Sequence, residues 1–347
     1  MKRPTYRPAR HGERARPQRG LTLVELMVAM VLGLLILGGV VSIFLSNRQA
    51  FRTSEQLARI QENARTAFEL MSRSIREAGA VPCGSNMPVA NVLNNASTQW
   101  WSNWGDGIRG YHGKTAMPAA SFGTSAGDRI EGASDAETPD AVIVLFGIGE
   151  PAVTVTSHNP TSAQFKVNTV DHGLTDDEIV MVCDYHHAAV FQVTNASSTN
   201  DTIVHNTGTA SPGNCSKGLG YPTQCANPGN TYTFQNGGSI VRLRAEAWYI
   251  GANDRGGRSL YRARMDKGSV MREEIAEGVR DMKIVYLVNA GGTLATDYVT
   301  ADKVTDWTQV VAARFTLTLE SGEKVGTDGG ALRRQLVHVV SLRNRLQ

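Results

Sequence analysis

The chain has 347 residues, and several things are scarce in it. Aromatic side chains make up 7%, there are four cysteines, and only one long apolar run occurs. No Gly-x-x-x-x-Gly-Lys-Ser/Thr, Gly-x-Ser-x-Gly, His-Glu-x-x-His or Gly-x-Gly-x-x-Gly pattern appears, so the usual nucleotide, hydrolase, metalloprotease and dinucleotide signatures are missing. Neither a Cys-x-x-Cys nor a helix-spaced histidine pair is present, which removes the common zinc frameworks. Asp128, Asp135, Glu137 and Asp140 lack the Asp-x-Asp-x-Asp-Gly spacing of a calcium loop. No catalytic residue, cofactor or metal is therefore expected. A net charge of +3, if spread evenly, is too weak for a dedicated nucleic-acid binder.

The charge is not spread evenly. Residues 1–20 hold seven basic side chains against Glu13 alone, a net of +6, which leaves 28 basic and 31 acidic residues, a net of −3, for the remainder. After this basic leader, Leu21 to Leu45 is apolar apart from Glu25 and a few small or hydroxylated residues. About 20 such residues cross a bilayer as a helix. Basic residues before the run and a mixed polar sequence after it place the N-terminus in the cytoplasm and the bulk outside. A removable secretory signal needs a shorter apolar core and an Ala-x-Ala-like site, but here Ser46-Asn47-Arg48 follows a long one. A plain signal anchor leaves Glu25 unexplained. A carboxylate at a helix centre in lipid costs about 2.5–3.5 kcal/mol, somewhat less near an end, and usually has a partner.

Arg19-Gly20-Leu21-Thr22-Leu23-Val24-Glu25 resembles the processing site of type IV prepilins. The resemblance implies cleavage by prepilin peptidase after Gly20 and methylation of the new N-terminus at Leu21. That position is most often Phe in the family. It also implies that Glu25 pairs with the free amine of a neighbouring subunit. Such a pair makes physical sense, because removing one member leaves an uncompensated buried charge.

No proline occurs between Leu21 and Pro82, and Leu57, Ile60, Ala64, Ala67/Phe68, Met71, Ile75 and Ala78 step by three and four. This is the stripe of an amphipathic helix with one packed face. Gly79 and Pro82 read as its stop. Some 58 residues give a rod of about 85–90 Å. Gly33, Gly38 and Gly39 read either as loosening of the first half or as close membrane packing.

Beyond residue 80 the fold class is α+β, with the long helix against an antiparallel sheet. Residues 80–135 read as loop-rich, with Trp100, Trp101 and Trp104 packing onto the sheet; exposed adhesive aromatics are the alternative. Strands are predicted at 140–146, 152–156, 164–169, 178–183, 189–194, 202–205, 239–250, 259–264, 279–288, 308–319 and 335–344, and 270–278 as a linking turn or helix. The segments are a leader at 1–20, a transmembrane half-helix at 21–45, an amphipathic half-helix at 46–79, a loop- and β-rich region at 80–240, and a C-terminal sheet at 241–347.

Ala247-Trp-Tyr-Ile250, Ser259-Leu-Tyr-Arg262, the run Glu273 to Tyr286, Val310-Val-Ala-Ala-Arg-Phe315 and Val340-Ser-Leu-Arg-Asn-Arg345 are similar to the PilW family of minor pilins, as are Asp177 to Asp184 and Ala189 to Thr194. The J-like pseudopilin of type II secretion shares the same plan, and a membrane-anchored periplasmic binding domain or enzyme is the reading from another class. The long middle β-region and the Leu-Arg-Asn-Arg end favour the pilus protein. The resemblance implies a non-enzymatic assembly subunit. It would lie first in a bacterial inner membrane and then in the pilus, taking part in a priming or tip complex. The implied partners are prepilin peptidase, other minor pilins, the major pilin and the inner-membrane assembly platform. Twitching, adhesion and DNA uptake would follow downstream, with direct nucleic-acid contact not expected.

Cys83, Cys183, Cys215 and Cys225 all follow the membrane segment, in a disulfide-permissive compartment. Three pairings are open; we favour Cys215–Cys225 with Cys83–Cys183. Asp184, His186 and His187, with His172 and the Asp176–Glu178 run, read as polar strand-end and turn residues. Arg333, Arg334, Arg343 and Arg345 read as a solvated strand edge or subunit salt bridges.

Overall fold

In a computed structural model of the protein, residues 21–81, 87–102, 104, 106–208, 211–326 and 328–345 are described. The chain divides into two units, residues 1–54 and 55–347, each compact in itself.

One helix, α1 (Leu23–Arg76), contributes to both units. In the second unit its buried residues include Ile60, Ala64, Ala67, Met71 and Ile75, the expected stripe. The helix stops at Arg76, a turn short of the expected end, and Gly79 takes a left-handed φ of 72°. Glycine adopts that conformation without the Cβ penalty, as helix exits require.

Sixteen strands follow among the described residues: β1 (Val89–Asn91), β2 (Ile108–Tyr111), β3 (Ala141–Asn159), β4 (Gln164–Val167), β5 (Ile179–Cys183), β6 (Ala188–Gln192), β7 (Asn195–Ala196), β8 (Thr202–Val204), β9 (Ser239–Ala252), β10 (Arg258–Asp266), β11 (Ser269–Glu277), β12 (Val279–Ala290), β13 (Thr293–Leu294), β14 (Val299–Thr300), β15 (Val310–Glu320) and β16 (Arg333–Ser341). The larger sheet runs β1-β6-β5-β9-β3-β4-β8-β7, with β10 on β9, β11 on β10 and β2 on β3. The smaller runs β13-β12-β15-β16, with β14 on β12. All pairs are antiparallel except β1 with β6.

Two expectations need correction. The strands expected at 140–146 and 152–156 are one strand, β3, whose register against β9 shifts between Ile148 and Val153. Gly147, Gly149 and Pro151 look like a break, but Gly147 pairs with Leu243, and the register shift takes up Gly149 and Pro151 before the ladder resumes at Val153. The stretch 270–278 is neither turn nor helix but strand β11. It forms a hairpin with β10 through Lys267 and Gly268, both at positive φ, the backbone a two-residue hairpin turn demands. Cross-strand ion pairs hold it: Glu273 meets Arg262 at 2.6 Å and Arg264 at 2.7 Å.

Three cores result. The α1 stripe packs with Val142, Val144, Trp248, Ile284, Tyr286 and Phe315. The other face of β3 and β9 is covered by the 93–120 loops, with Leu93, Trp101 and Met117 among the buried residues and Trp100 and Trp104 packed beside them. That is the packing role expected for the tryptophans. A third core gathers Val155, Phe165, Phe191, Ile203 and Phe234 around the far end of β3. Polar ties fix α1 as well. Ser74 donates to Glu246 Oε2 at 2.6 Å, and Asn63 Nδ2 donates to the Glu277 carbonyl at 2.9 Å.

Candidate assembly site

The first turn of α1 is closed by its own side chains. Thr22 N–H and Thr22 Oγ1 both donate to Glu25 Oε2 at 3.0 Å, and Glu25 N–H donates to Thr22 Oγ1 at 3.3 Å. This is a capping box, which satisfies donors that helix geometry leaves orphaned. Thr22 was not among the expected site residues, although Thr-x-x-Glu before an apolar run is itself the signal. Oε1 of Glu25 carries none of these three bonds.

From Leu21 to Arg52 every residue is exposed except Gly33, which is half-buried. The helix contains a window of mean hydropathy 2.7, long and apolar enough to cross a membrane by length and composition. A Cβ placed on Gly33, Gly38 or Gly39 would meet no atom within 4 Å, so nothing among the described residues requires glycine there. Gly20 lies outside the described residues; Leu21 is 78% exposed.

The helix exit in the second unit is locked to the chain's C-terminal region. Gly79 N–H donates to the Leu145 carbonyl at 2.7 Å, and Leu145 N–H to the Gly107 carbonyl at 2.8 Å. A Cβ on Gly107 would lie 2.7 Å from Gly79 Cα, so this crossing needs glycine. Arg345 donates to the carbonyls of Trp307, Asp106 and Val310. Burial pulls its pKa below the ordinary arginine value, against the pull of Asp106 and Asp306. The terminal arginines therefore do not act as one patch. Arg345 ties loops, Arg333 pairs with Glu320 at 2.8 Å, and Arg343 lines an open pocket with Arg73, Arg76, Glu77 and Ser341.

Cys215 and Cys225 form a disulfide, as favoured. Cys183 is also disulfide-bonded, while Cys83 lies outside the described residues. The residues beside Cys183 serve turns. Asp184 accepts from the backbone of His186 and His187 and from the Tyr232 hydroxyl, and His187 Nε2 meets the Leu219 carbonyl at 2.8 Å. His172 Nδ1 accepts from Leu174 N–H at 3.0 Å. The four acids considered for calcium are dispersed in role. Asp140 is buried, taking His112 Nδ1 at 2.9 Å and Ile284 N–H at 2.8 Å. Asp128 and Asp135 accept from backbone N–H groups, and Glu137 is exposed. Among the described residues no group of three or more His, Cys, Asp or Glu could hold a metal ion.

Two family models match the chain. The prokaryotic N-terminal methylation motif matches residues 15–41, the segment that contains the capping box and the start of the exposed apolar helix. The type IV pilus-assembly protein W family matches residues 247–344, from the middle of β9 to the turn after β16. No curated protein and no solved structure matches the chain. The methylation motif and the apolar helix suit a membrane-anchored pilin, and together the two matches support a type IV pilus minor pilin involved in pilus assembly, with residues 247–344 similar to the PilW family.

Proposed function

We propose that the chain is a non-enzymatic subunit of the complex that primes or tips the pilus. The observation that carries this reading is the α1 first half, apolar on all sides and unburied from Leu21 to Leu45, with one carboxylate in its first turn. A helix apolar all round needs lipid or other subunits about it. Prepilin peptidase cuts after Gly20, and methylation follows at Leu21. The precursor holds its N-terminus in the cytoplasm and residues beyond the membrane segment in the periplasm, before extraction into the fibre. In that apolar setting the capping box satisfies Glu25 Oε2 within the chain. Oε1 is left to accept the amine of a neighbouring subunit. Its partners are other minor pilins, the major pilin and the assembly platform; twitching, adhesion or DNA uptake follows from the pilus.

The test has two parts. Mass spectrometry of the mature chain should place Leu21 at the N-terminus; an intact leader in a peptidase-competent cell would refute processing. Deletion of the chain should lower the number of surface pili, and Glu25→Ala should be processed yet fail to restore them. Normal piliation by Glu25→Ala would remove the charge-pairing role.

A further inference from the structure

The edge of the smaller sheet carries an interaction surface. β16 pairs with β15 on one side, Ala312 opposite Ser341 through Glu320 opposite Arg333, without a register shift. No strand pairs with its other side among the described residues. The bonds at the two ends of this ladder set its phase. Leu342 N–H donates to the Val311 carbonyl at 2.8 Å, and Ser321 N–H to the Leu332 carbonyl at 2.9 Å. In an antiparallel pair, residues alternate between exchanging both backbone bonds and turning them away. Even-numbered residues of β16 thus bond to β15, and Arg333, Gln335, Val337, Val339 and Ser341 turn their backbone N–H and C=O groups to the open side.

Edges of this kind are usually blunted by charged side chains, proline or a bulge; in β16 the charged side chains are Arg333 and Arg334, both at its start. β16 has no proline and no bulge, and its apolar Val337 and Val339 are 59% and 51% exposed. On the opposite face Val340 is in the core and His338 touches the Phe68 ring, centroids 5.3 Å apart, while Leu336 is partly exposed. At the end of the edge lies an open pocket of about 510 Å³ lined by Arg73, Arg76, Glu77, Ser341 and Arg343. Three guanidiniums face one carboxylate there, and Glu77 already lies 3.6 Å from Arg73.

We propose that the open edge of β16 receives, antiparallel, a β-strand of another pilin subunit, and that a carboxylate at the start of that strand enters the arginine pocket. Every pair in this sheet is antiparallel, which puts the incoming strand's N-terminal end beside Ser341 and Arg343. Backbone bonds to five outward residues supply affinity, Val337 and Val339 give alternate side chains a surface, and the pocket sets register by charge. A second copy of this chain is a poor occupant. Antiparallel self-pairing about Val337 brings Arg333 and Arg334 of each copy toward Ser341 and Arg343 of the other, like charge at both ends. The proposal rests on assembly with other pilin subunits and adds the surface that does it.

The test uses the full-length chain in its own pilus-bearing cell. Val337→Pro deletes an outward N–H and leaves the β15 ladder intact, and Val337→Thr keeps that N–H as control. Arg343→Glu reverses the pocket's charge at an exposed site. Val337→Pro and Arg343→Glu should each lower the chain's content in sheared pili about tenfold, with its membrane level unchanged and Val337→Thr near the parent. Parent-level assembly by either variant overturns the proposal, while Leu21 processing and loss of pili on deletion would leave the minor-pilin reading standing. Self-association of the purified chain in detergent that Val337→Pro abolishes would instead assign the edge to a second copy, and overturns it too.

Discussion

The two halves of α1 have the same backbone and opposite surroundings. From Leu23 to Leu45 the apolar residues cover every side and none is buried, whereas from Ile60 to Ile75 they recur at three and four and lie within the core. The difference shows that apolar content alone does not say what a helix packs against; its angular distribution does. A stripe can be satisfied by the sheets of the same chain, as here by strands of both. A full apolar surface can be satisfied only by something outside it.

The largest expected effect comes from moving a charge between these settings. Ala67 is fully buried against the sheet core, so Ala67→Glu places a carboxylate there with no partner. The cost should exceed about 4 kcal/mol, enough to unfold a domain of ordinary stability. Loss of the cooperative melt is the expected readout. Leu37→Ala, in the exposed half, should leave the same melt unchanged. A melt equally damaged by both would erase the distinction between the halves.

Acid separates the second unit's β-core from the helix. His158 and His205 meet through Nε2 at 3.0 Å inside the third core, while α1 contains no histidine. Burial holds His158 neutral, its pKa lowered from 6.5 to about 4, and burial with the neighbouring His158 holds His205 well below its ordinary value. The unfolded chain therefore binds protons first. Stability is full above pH 6.5 and falls as pH drops toward 4, by about 1 kcal/mol per pH unit for each histidine. Thermal melts between pH 6.5 and 5, before most carboxylates titrate, should show the decline. A flat midpoint across that window would mean the pair is not held neutral.

Much of this was legible in the residues, for physical reasons that also explain the failures. The α1 stripe and strands such as β12 and β15 carry apolar periods because one face of each meets a core. β11 does not: its residues are largely exposed, and its hold on β10 is the ion pairing of Glu273 with Arg262 and Arg264. The contiguous charges Arg272, Glu273 and Glu274 leave no apolar period to read. β3 hid its length behind Gly147, Gly149 and Pro151, local turn signals that long-range pairing with β9 overrides. Glu25 was legible as an anomaly in an apolar run, and the same four residues, Thr22 to Glu25, also spelled the cap that holds it. Arg345 was not legible at all. An arginine there looks solvated, and only the fold supplies the carbonyls of Trp307, Asp106 and Val310 that accept from it.

Ser74 tests how firmly the packed half is tied. Its hydroxyl reaches Glu246 Oε2 at 2.6 Å, and Arg262 lies 3.5 Å from Oε1 of the same carboxylate. Ser74→Ala leaves a buried carboxylate oxygen short of one donor, at a cost of about 1–3 kcal/mol. Arg262 still compensates part of the charge, so the lower end is expected. A double-mutant cycle with Glu246→Gln measures the coupling, and additive losses would show that the two side chains act independently.

The smallest effect belongs to the exposed half. Thr22→Ala removes two of the capping box's three bonds, since Thr22 Oγ1 accepts from Glu25 N–H and donates to Glu25 Oε2, and leaves the one from Thr22 N–H. Loss of such a cap costs about 1 kcal/mol of local helix stability. The cost falls on the first turn, where no residue is buried, so the melt of the second unit should not move. Backbone amide exchange at Glu25 and Leu26 in detergent should quicken instead. Thr22→Ser, which keeps the hydroxyl, should restore slow exchange. If Thr22→Ala lowered the melting point of the second unit as Ser74→Ala does, the first turn would be coupled to the packed core, and the two halves of α1 would not be independent.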